Sequence, residues 1–119
     1  GELKYEMVNL EKMVKSSVKM LNKPVSSNIK FIFEIETELP DIKLDYYQIK
    51  QLLQNLYYNS IRALTESKPL QPLIIIRVNR VNDHIEIEVD DNGPGISDDI
   101  LEFLFTPFSN KKETSMGIG

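Results

Sequence analysis

The sequence has no cysteine and a single histidine, His84, among its 119 residues. Without cysteine, neither a disulfide nor a thiolate metal site is possible, and one histidine excludes any metal site that needs two. Basic residues are scattered apart from Lys111-Lys112, and the formal net charge is −4. This charge distribution argues against a general nucleic-acid-binding protein, because such proteins usually carry a basic patch or stripe.

Long apolar runs are also missing. No stretch approaches the ~20 apolar residues of a membrane-spanning helix, and the N-terminal segment lacks the apolar core of a signal peptide. The composition, with 41% hydrophobic and 27% charged residues, is typical of one soluble globular domain with a single core. We therefore expect one cytoplasmic domain over residues 1–119, which is compatible with a membrane anchor elsewhere in a longer protein.

The first part of the chain predicts a lead-in, a helix and a strand. Residues 2–9 form the lead-in or a short strand, and Asn9 is a suitable cap for the helix that follows. After a loop rich in proline, serine and asparagine, apolar and polar residues alternate over 29–35. This alternation predicts a half-buried strand, which Pro40 ends.

The second part predicts a long helix and a hairpin. Asp45 caps a helix that ends near Thr65, and its apolar face is expected to comprise Ile49, Leu52, Leu53, Leu56, Ile61 and Leu64. Apolar-rich strands over 73–81 and 84–89 flank the turn Asn82-Asp83. The mixed order of elements predicts a two-layer α/β sandwich, with helices on one face of a mixed β-sheet.

The most informative run is Asp90-Asp91-Asn92-Gly93-Pro94-Gly95-Ile96, which follows the last predicted strand. Glycines in such a loop let the backbone approach a ligand closely. The carboxylate of Asp91 suits an amine donor such as the exocyclic amine of adenine. Asp90 falls on the other face of the strand and is interpreted as a solvated charge. The alternative for the whole run is an ordinary tight turn after an edge strand.

A second polar group lies on the predicted long helix. Asn55 and Asn59 are spaced i, i+4, and Arg62 follows three residues later, so all three share one helical face. An amide oxygen suits Mg²⁺, and a guanidinium group can bind a phosphate through two hydrogen bonds. The alternative is a solvated polar face on which both asparagines are incidental.

The C-terminal part, from Ser97 onwards, predicts a short helix to about Leu104 and then a polar loop. We expect the region of about residues 97–116 to be a mobile lid, with Phe105 and Phe108 as its apolar anchors. Its phosphate-facing groups would be Lys111, Lys112 and the backbone N–H groups of Gly117 and Gly119. The chain contains no Walker motif.

In order and spacing, these segments resemble the ATP-binding domain of sensor histidine kinases, within the GHKL ATPase superfamily. Asn55-x-x-x-Asn59 resembles the N box of that family, and Asp91-x-Gly93-x-Gly95 resembles its G1 box. Phe105-Thr106-Pro107-Phe108 resembles the F box, and Gly117-Ile118-Gly119 resembles most of the G2 box. The resemblance runs from about Asp45 to the last residue. It implies the Bergerat fold, which we expect to be truncated at its C-terminus.

The resemblance also implies roles for individual residues. Asn59 would be the main Mg²⁺ ligand, Asn55 a neighbour of the metal and phosphates, and Arg62 a phosphate contact. Asp91 would bind the adenine amino group, and Lys112 fits the lysine that commonly follows the F box. The remaining nucleotide contacts that it implies are Gly93, Gly95, Ile96, Phe108, Gly117 and Gly119.

Asparagine at position 55 distinguishes this chain from gyrase-, MutL- and Hsp90-like relatives, which place a glutamate there to activate water. The resemblance therefore implies slow hydrolysis and, instead, transfer of the ATP γ-phosphate to a histidine in a separate dimerisation domain. The implied partners are that domain in a homodimer, and the receiver domain of a response regulator. Ser115 and Met116 depart from the usual G2 box, so the resemblance does not define the geometry of the lid.

His84 is not expected to be the phosphoacceptor, because it begins a hairpin strand. It is interpreted as a partly exposed strand residue. Two other functions stay open at this point: a GHKL serine kinase of the anti-sigma-factor type, and a non-catalytic module that keeps the fold but binds other partners.

Overall fold

A computed structural model describes residues 4–22, 28–94 and 99–105. A two-stranded antiparallel sheet pairs β1 (Glu6–Val8) with β3 (Ile42–Leu44). The main sheet has the order β2-β4-β5-β6, formed by Lys30–Ile35, Leu73–Val81, His84–Asp91 and Asp99–Leu104. The helices are α1 (Leu10–Lys19) and α2 (Tyr46–Ser67).

The main sheet is mixed, as the sequence predicted. Strand β2 pairs with β4 in parallel, whereas β4, β5 and β6 are antiparallel neighbours. Alternate residues of β4 and β5 are buried on the face that packs towards the helices: Ile74, Ile76, Val78, Ile85, Ile87 and Val89. The same alternation puts Ile75 on the opposite face, where it is half-buried.

Both helices begin where the sequence predicted. The side chain of Asn9 accepts a hydrogen bond from the backbone N–H of Lys12 at 3.0 Å. Asp45 accepts one from the backbone N–H of Gln48 at 3.1 Å and another from that of Lys4 at 3.0 Å. The hydrogen bond from Gln48 is the largest cause of a lowered pKa of Asp45, and the hydrogen bond from Lys4 lowers this pKa further. Each cap satisfies donors that the first turn of a helix leaves unpaired.

The buried face of α2 differs in part from the predicted one. Its buried residues are Ile49, Leu53, Tyr57, Ser60, Ile61 and Leu64. Leu52 and Leu56 are only half-buried. Tyr57, which the prediction omitted, is 0% exposed. The buried face is shifted towards Tyr57 because α2 packs against α1 as well as on the sheet, and the Tyr57 hydroxyl contacts Ser17 of α1.

The prediction of a helix from Ser97 to about Leu104 is wrong for the described residues. Strand β6 pairs with β5 in an antiparallel ladder, with Ile87 opposite Leu101. Leu101 and Phe103 alternate with exposed residues, and both are buried. The edge of β5 would otherwise present unpaired backbone groups, so sheet pairing overrides the local helical spacing.

Phe105 continues this alternation and is 3% exposed, so it packs in the core and not on a lid. Its backbone N–H donates to the carbonyl of Asp83 at 2.9 Å. The guanidinium carbon of Arg80 lies 5.1 Å from the centre of its ring. Residues 99–105 of the expected lid therefore belong to the sheet and its hairpin. Among the described residues, no helix is long and apolar enough to cross a membrane.

Candidate functional site

The outer face of α2 carries the three polar residues that the sequence singled out. Asn55, Asn59 and Arg62 are all exposed. At about 100° per residue, they fall within an arc of about 60°. Within the described part of the chain, their side chains make no hydrogen bond or ion pair. The helix thus presents two amides and one guanidinium together, with their donors and acceptors available to a ligand.

A cleft adjoins this face at Asn55, but neither Asn59 nor Arg62 lines it. Asn55 and Gln51 border this cleft of about 590 Å³, which also reaches Met20 at the end of α1. A second cleft, of about 560 Å³, lies near the C-terminal end of α2 between Leu64 and Pro72 and contains none of the predicted site residues. The two clefts are similar in volume, so we choose between them by their lining residues. The candidate site is the one beside Asn55, because Asn55 shares its helical face with Asn59 and Arg62.

Asp91 ends β5 and meets the loop that follows it. The carboxylate oxygen Oδ1 of Asp91 accepts a hydrogen bond from the backbone N–H of Gly93 at 2.8 Å. A Cβ atom on residue 93 would lie 2.9 Å from the same oxygen. A side chain at residue 93 would therefore displace this carboxylate, and the hydrogen bond from Gly93 holds the carboxylate in place.

Gly93 also lies against α2. A Cβ on Gly93 would be 3.4 Å from Ser67 Oγ and 3.6 Å from the carbonyl oxygen of Ala63. Asn59, Ala63 and Ser67 are spaced i, i+4, i+8, so they follow one strip along the helix. The loop after β5 and the asparagine face thus meet on the same helix, with the carboxylate end of the site adjoining the amide end.

Asn92 fixes the other side of the loop. Its Nδ2 donates to the carbonyl of Gln71 at 2.8 Å, and its Oδ1 accepts from the backbone N–H of Leu73 at 2.9 Å. These bonds tie the end of β5 to the connection that leaves α2. Sequence reasoning missed Asn92, Ala63 and Ser67. The only signal was the Asn-Gly pair, which indicated a turn but not its tertiary partners.

Asp90 lies on the opposite face of β5, as alternation predicted, but it is not simply a solvated charge. Its Oδ2 lies 3.5 Å from Nη1 of Arg77. The same nitrogen lies 3.5 Å from Glu88, and Nε of Arg77 donates to Glu34 at 2.9 Å. The hydrogen bond to Glu34 and these further carboxylates raise the pKa of Arg77. Asp90 thus belongs to a charge cluster on the outer face of the sheet, and Asp91 stays the candidate nucleotide-binding carboxylate.

His84 is half-buried, and its Nδ1 lies 2.8 Å from Oδ1 of Asp83. This agrees with the prediction of a partly exposed strand residue.

Six predicted nucleotide contacts lie outside the described residues: Gly95, Ile96, Phe108, Lys112, Gly117 and Gly119. Their roles stay predictions, as does the lid for the part of 97–116 beyond the described segments.

Comparison with known proteins identifies the same family as the motifs. The family model described as histidine kinase-, DNA gyrase B-, and HSP90-like ATPase matches residues 44–119. Sensor protein FixL of Bradyrhizobium diazoefficiens is 30% identical over 120 residues, which cover 100% of this chain and 24% of FixL. Sensor histidine kinase ZraS of Escherichia coli (strain K12) is 29% identical over 118 residues, covering 98% of this chain and 24% of ZraS.

The fold also matches solved structures. The catalytic domain of histidine kinase ThkA superposes with a TM-score of 0.65 at 25% identity, over 79% of this chain and 62% of that one. The chain spans about a quarter of the length of the curated relatives above. The predicted histidine kinase-type ATPase fold is confirmed. With the family match over residues 44–119, the chain belongs to the histidine kinase-, DNA gyrase B- and HSP90-like ATPases.

Proposed function

We propose that this chain is the ATP-binding catalytic domain of a two-component sensor histidine kinase. It transfers the γ-phosphate of ATP to a histidine in a separate dimerisation domain of the same protein. The observation that carries the proposal is the contact of Gly93 with α2, because it joins the carboxylate of Asp91 to the helix that bears Asn55 and Asn59.

The carboxylate end fits adenine. A carboxylate has about four acceptor sites, so accepting from Gly93 does not exhaust its capacity. The absence of a side chain at position 93 lets a flat base approach the backbone. Asp91 therefore orients the base through its exocyclic amine, while the loop supplies the surface against which the base lies.

The amide end fits a metal-bound triphosphate. Asn59 offers a neutral oxygen, which suits a Mg²⁺ ion that keeps several waters and binds phosphate oxygens. Arg62, one turn away on the same face, binds a phosphate directly. Bound Mg²⁺ would neutralise charge on the transferring phosphoryl group.

Position 55 separates kinase from hydrolase chemistry. The amide of Asn55 cannot take a proton from water at neutral pH, whereas a carboxylate at the same place can. The site therefore positions the γ-phosphate without activating a water molecule against it. An incoming histidine brings its own nucleophilic nitrogen, and transfer needs only alignment and charge stabilisation.

The partners follow from the same proposal. The acceptor domain lies in a homodimer of the intact protein, and a response regulator receiver domain takes the phosphoryl group next. ThkA has been solved in complex with the response regulator TrrA. The domain would work in the cytoplasm, whether or not the intact protein is membrane-anchored. ZraS, one of the curated relatives above, is named a sensor histidine kinase, so the serine-kinase alternative is not favoured.

ATP binding to the intact protein tests the adenine role. Asp91→Asn puts an amide donor where the base presents its amine, and we expect ATP affinity to fall by about 1–3 kcal/mol. Affinity for GTP, which lacks that amine, should fall less. Asp90→Asn is the matched control on the other face of β5. Equal ATP affinity in Asp91→Asn and the parent would refute the assignment.

The acceptor is tested separately. With labelled ATP, the intact protein should form an acid-labile, base-stable phosphoprotein, as expected for phosphohistidine. An acid-stable product would instead indicate the serine kinase.

A further inference from the structure

The contact between α1 and α2 contains a buried pair of hydroxyl groups. Ser17 and Tyr57 are both 0% exposed, and Ser17 Oγ lies 2.7 Å from the Tyr57 hydroxyl. Ser17 Oγ donates to the carbonyl of Val14 at 2.7 Å. Because the serine proton is used there, the Tyr57 hydroxyl is the donor in the pair. Burial raises the pKa of Tyr57 to about 12, so the proton is present at neutral pH.

Ser17 holds α2 a second time through its backbone. Nε2 of Gln54 donates to the Ser17 carbonyl at 3.0 Å. Since α1 ends at Lys19, this carbonyl is among the last four, which have no partner within the helix. One residue of α1 therefore binds two side chains of α2 that lie one turn apart.

These two hydrogen bonds restrict the rotation of α2 about its own axis. At about 100° per residue, Asn55 and Asn59 lie roughly opposite Tyr57 on the helix. With side chains about 5–6 Å from the axis, a rotation of about 10° would move the asparagine amides by about 1 Å. The apolar residues of α2 resist separation from the sheet, but their burial is not directional. Hydrogen bonds depend steeply on angle and so resist rotation.

We propose that Ser17 is a positioning residue for the Mg²⁺–phosphate end of the site. It touches neither nucleotide nor metal. By holding Tyr57 and Gln54, it fixes the rotation of α2 and so aims Asn59 and Asn55. Ser17 lies outside residues 44–119, which the family model matches. The inference rests on the proposed function, because it needs Asn59 to bind the metal.

The decisive readout is the ratio of ATP affinity with Mg²⁺ to ATP affinity in EDTA, measured on the intact protein. Ser17→Ala leaves the Tyr57 hydroxyl buried without its acceptor, so α2 should rotate to find another. We expect this ratio to fall by about tenfold, because Mg²⁺ demands near-ideal octahedral geometry and tolerates little displacement of a ligand oxygen. Affinity in EDTA, which depends on Asp91, should change less than threefold.

A structural defect alone would lower both affinities together by reducing the folded fraction. Val78→Ala, a core substitution on β4 away from α1, is the matched control and should leave the ratio unchanged. Tyr57→Phe removes the hydroxyl without leaving an unpaired donor. It should lower the ratio in the same direction even if Ser17→Ala does not fold. Ser17→Thr, which keeps the hydroxyl, should restore most of the ratio.

Two outcomes separate this inference from the function on which it rests. If the parent protein shows no Mg²⁺-dependent ATP binding, the proposed function fails. If the parent shows it and both Tyr57→Phe and Ser17→Ala keep the parental ratio, the positioning role of Ser17 is wrong while the function stands.

Discussion

The backbone N–H of Gly93 donates to the carboxylate of Asp91 at 2.8 Å, and a Cβ at residue 93 would lie 2.9 Å from the same oxygen. The two residues fit each other so closely that a methyl group on one displaces the carboxylate of the other. Since a carboxylate is the flexible partner of this contact, the displacement should disturb binding more than folding.

Gly93→Ala is therefore expected to weaken ATP binding by at least about 1.4 kcal/mol, a factor of ten, while the free energy of unfolding falls by less. Isothermal titration and urea unfolding on the same preparation measure the two quantities. Pro94→Ala, at an exposed neighbouring position, is the control. A large loss of stability with unchanged affinity would contradict the account.

The roles of Asn59 and Arg62 should be distinguishable by comparing ATP affinity with and without Mg²⁺. Asn59→Ala is expected to reduce ATP affinity in Mg²⁺ but not in EDTA, because its amide acts through the cation. Arg62→Ala should reduce affinity in both, because its guanidinium binds phosphate directly. Glu66→Ala, one turn further along α2, is the control. Equal effects of Asn59→Ala with and without Mg²⁺ would rule out the metal role.

The raised pKa of Tyr57 predicts that the protein loses stability at alkaline pH. Its pKa is about 12 in the folded chain against 10.0 for the free side chain, so the folded state keeps the proton while the unfolded state loses it. The stabilisation is complete below pH 10 and is lost as the pH rises through 12. Two pKa units correspond to about 2–3 kcal/mol. Unfolding curves from pH 9 to 12 should show this loss in the parent and not in Tyr57→Phe. Parallel curves for the two would contradict burial of the hydroxyl.

Strand β6 can be tested by a pair of substitutions. Phe103 is 0% exposed, whereas Ile100, on the other face of the strand, is 46% exposed. Phe103→Ala should cost about 3–5 kcal/mol, and Ile100→Ala should cost well below half of that. In a helix the two positions would share a face, so similar losses for both would favour the helix that the sequence alone suggested.

Local signals account for what the sequence predicted well. The caps Asn9 and Asp45 and the spacing of Asn55, Asn59 and Arg62 need only one element each, and they are where they were expected. Alternation in one strand also predicted that Asp90 and Asp91 lie on opposite faces, and the structure puts Asp90 in the outer charge cluster. The adenine-binding role of Asp91 stays a prediction.

The misses share a different cause. Strand β3 has three residues, too few for any periodicity, and it exists because β1 pairs with it. Strand β6 depends on the free edge of β5, which no window of local sequence contains. Ser17 and Asn92 matter through partners 40 and 21 residues away. Such contacts are decided by tertiary packing, which overrides local preference.

The parallel pairing of β2 with β4 has a consequence for how the site assembles during folding. It brings together Glu34 and Arg77, which are 43 residues apart, and the whole of α2 lies in the connection between them. Closing so long a segment costs entropy before any contact repays it, and non-local pairing slows folding. The asparagine face therefore takes its place beside the loop after β5 only when the ends of this connection meet. In refolding experiments, competence to bind nucleotide should appear with the parallel ladder and not with the earlier formation of helix.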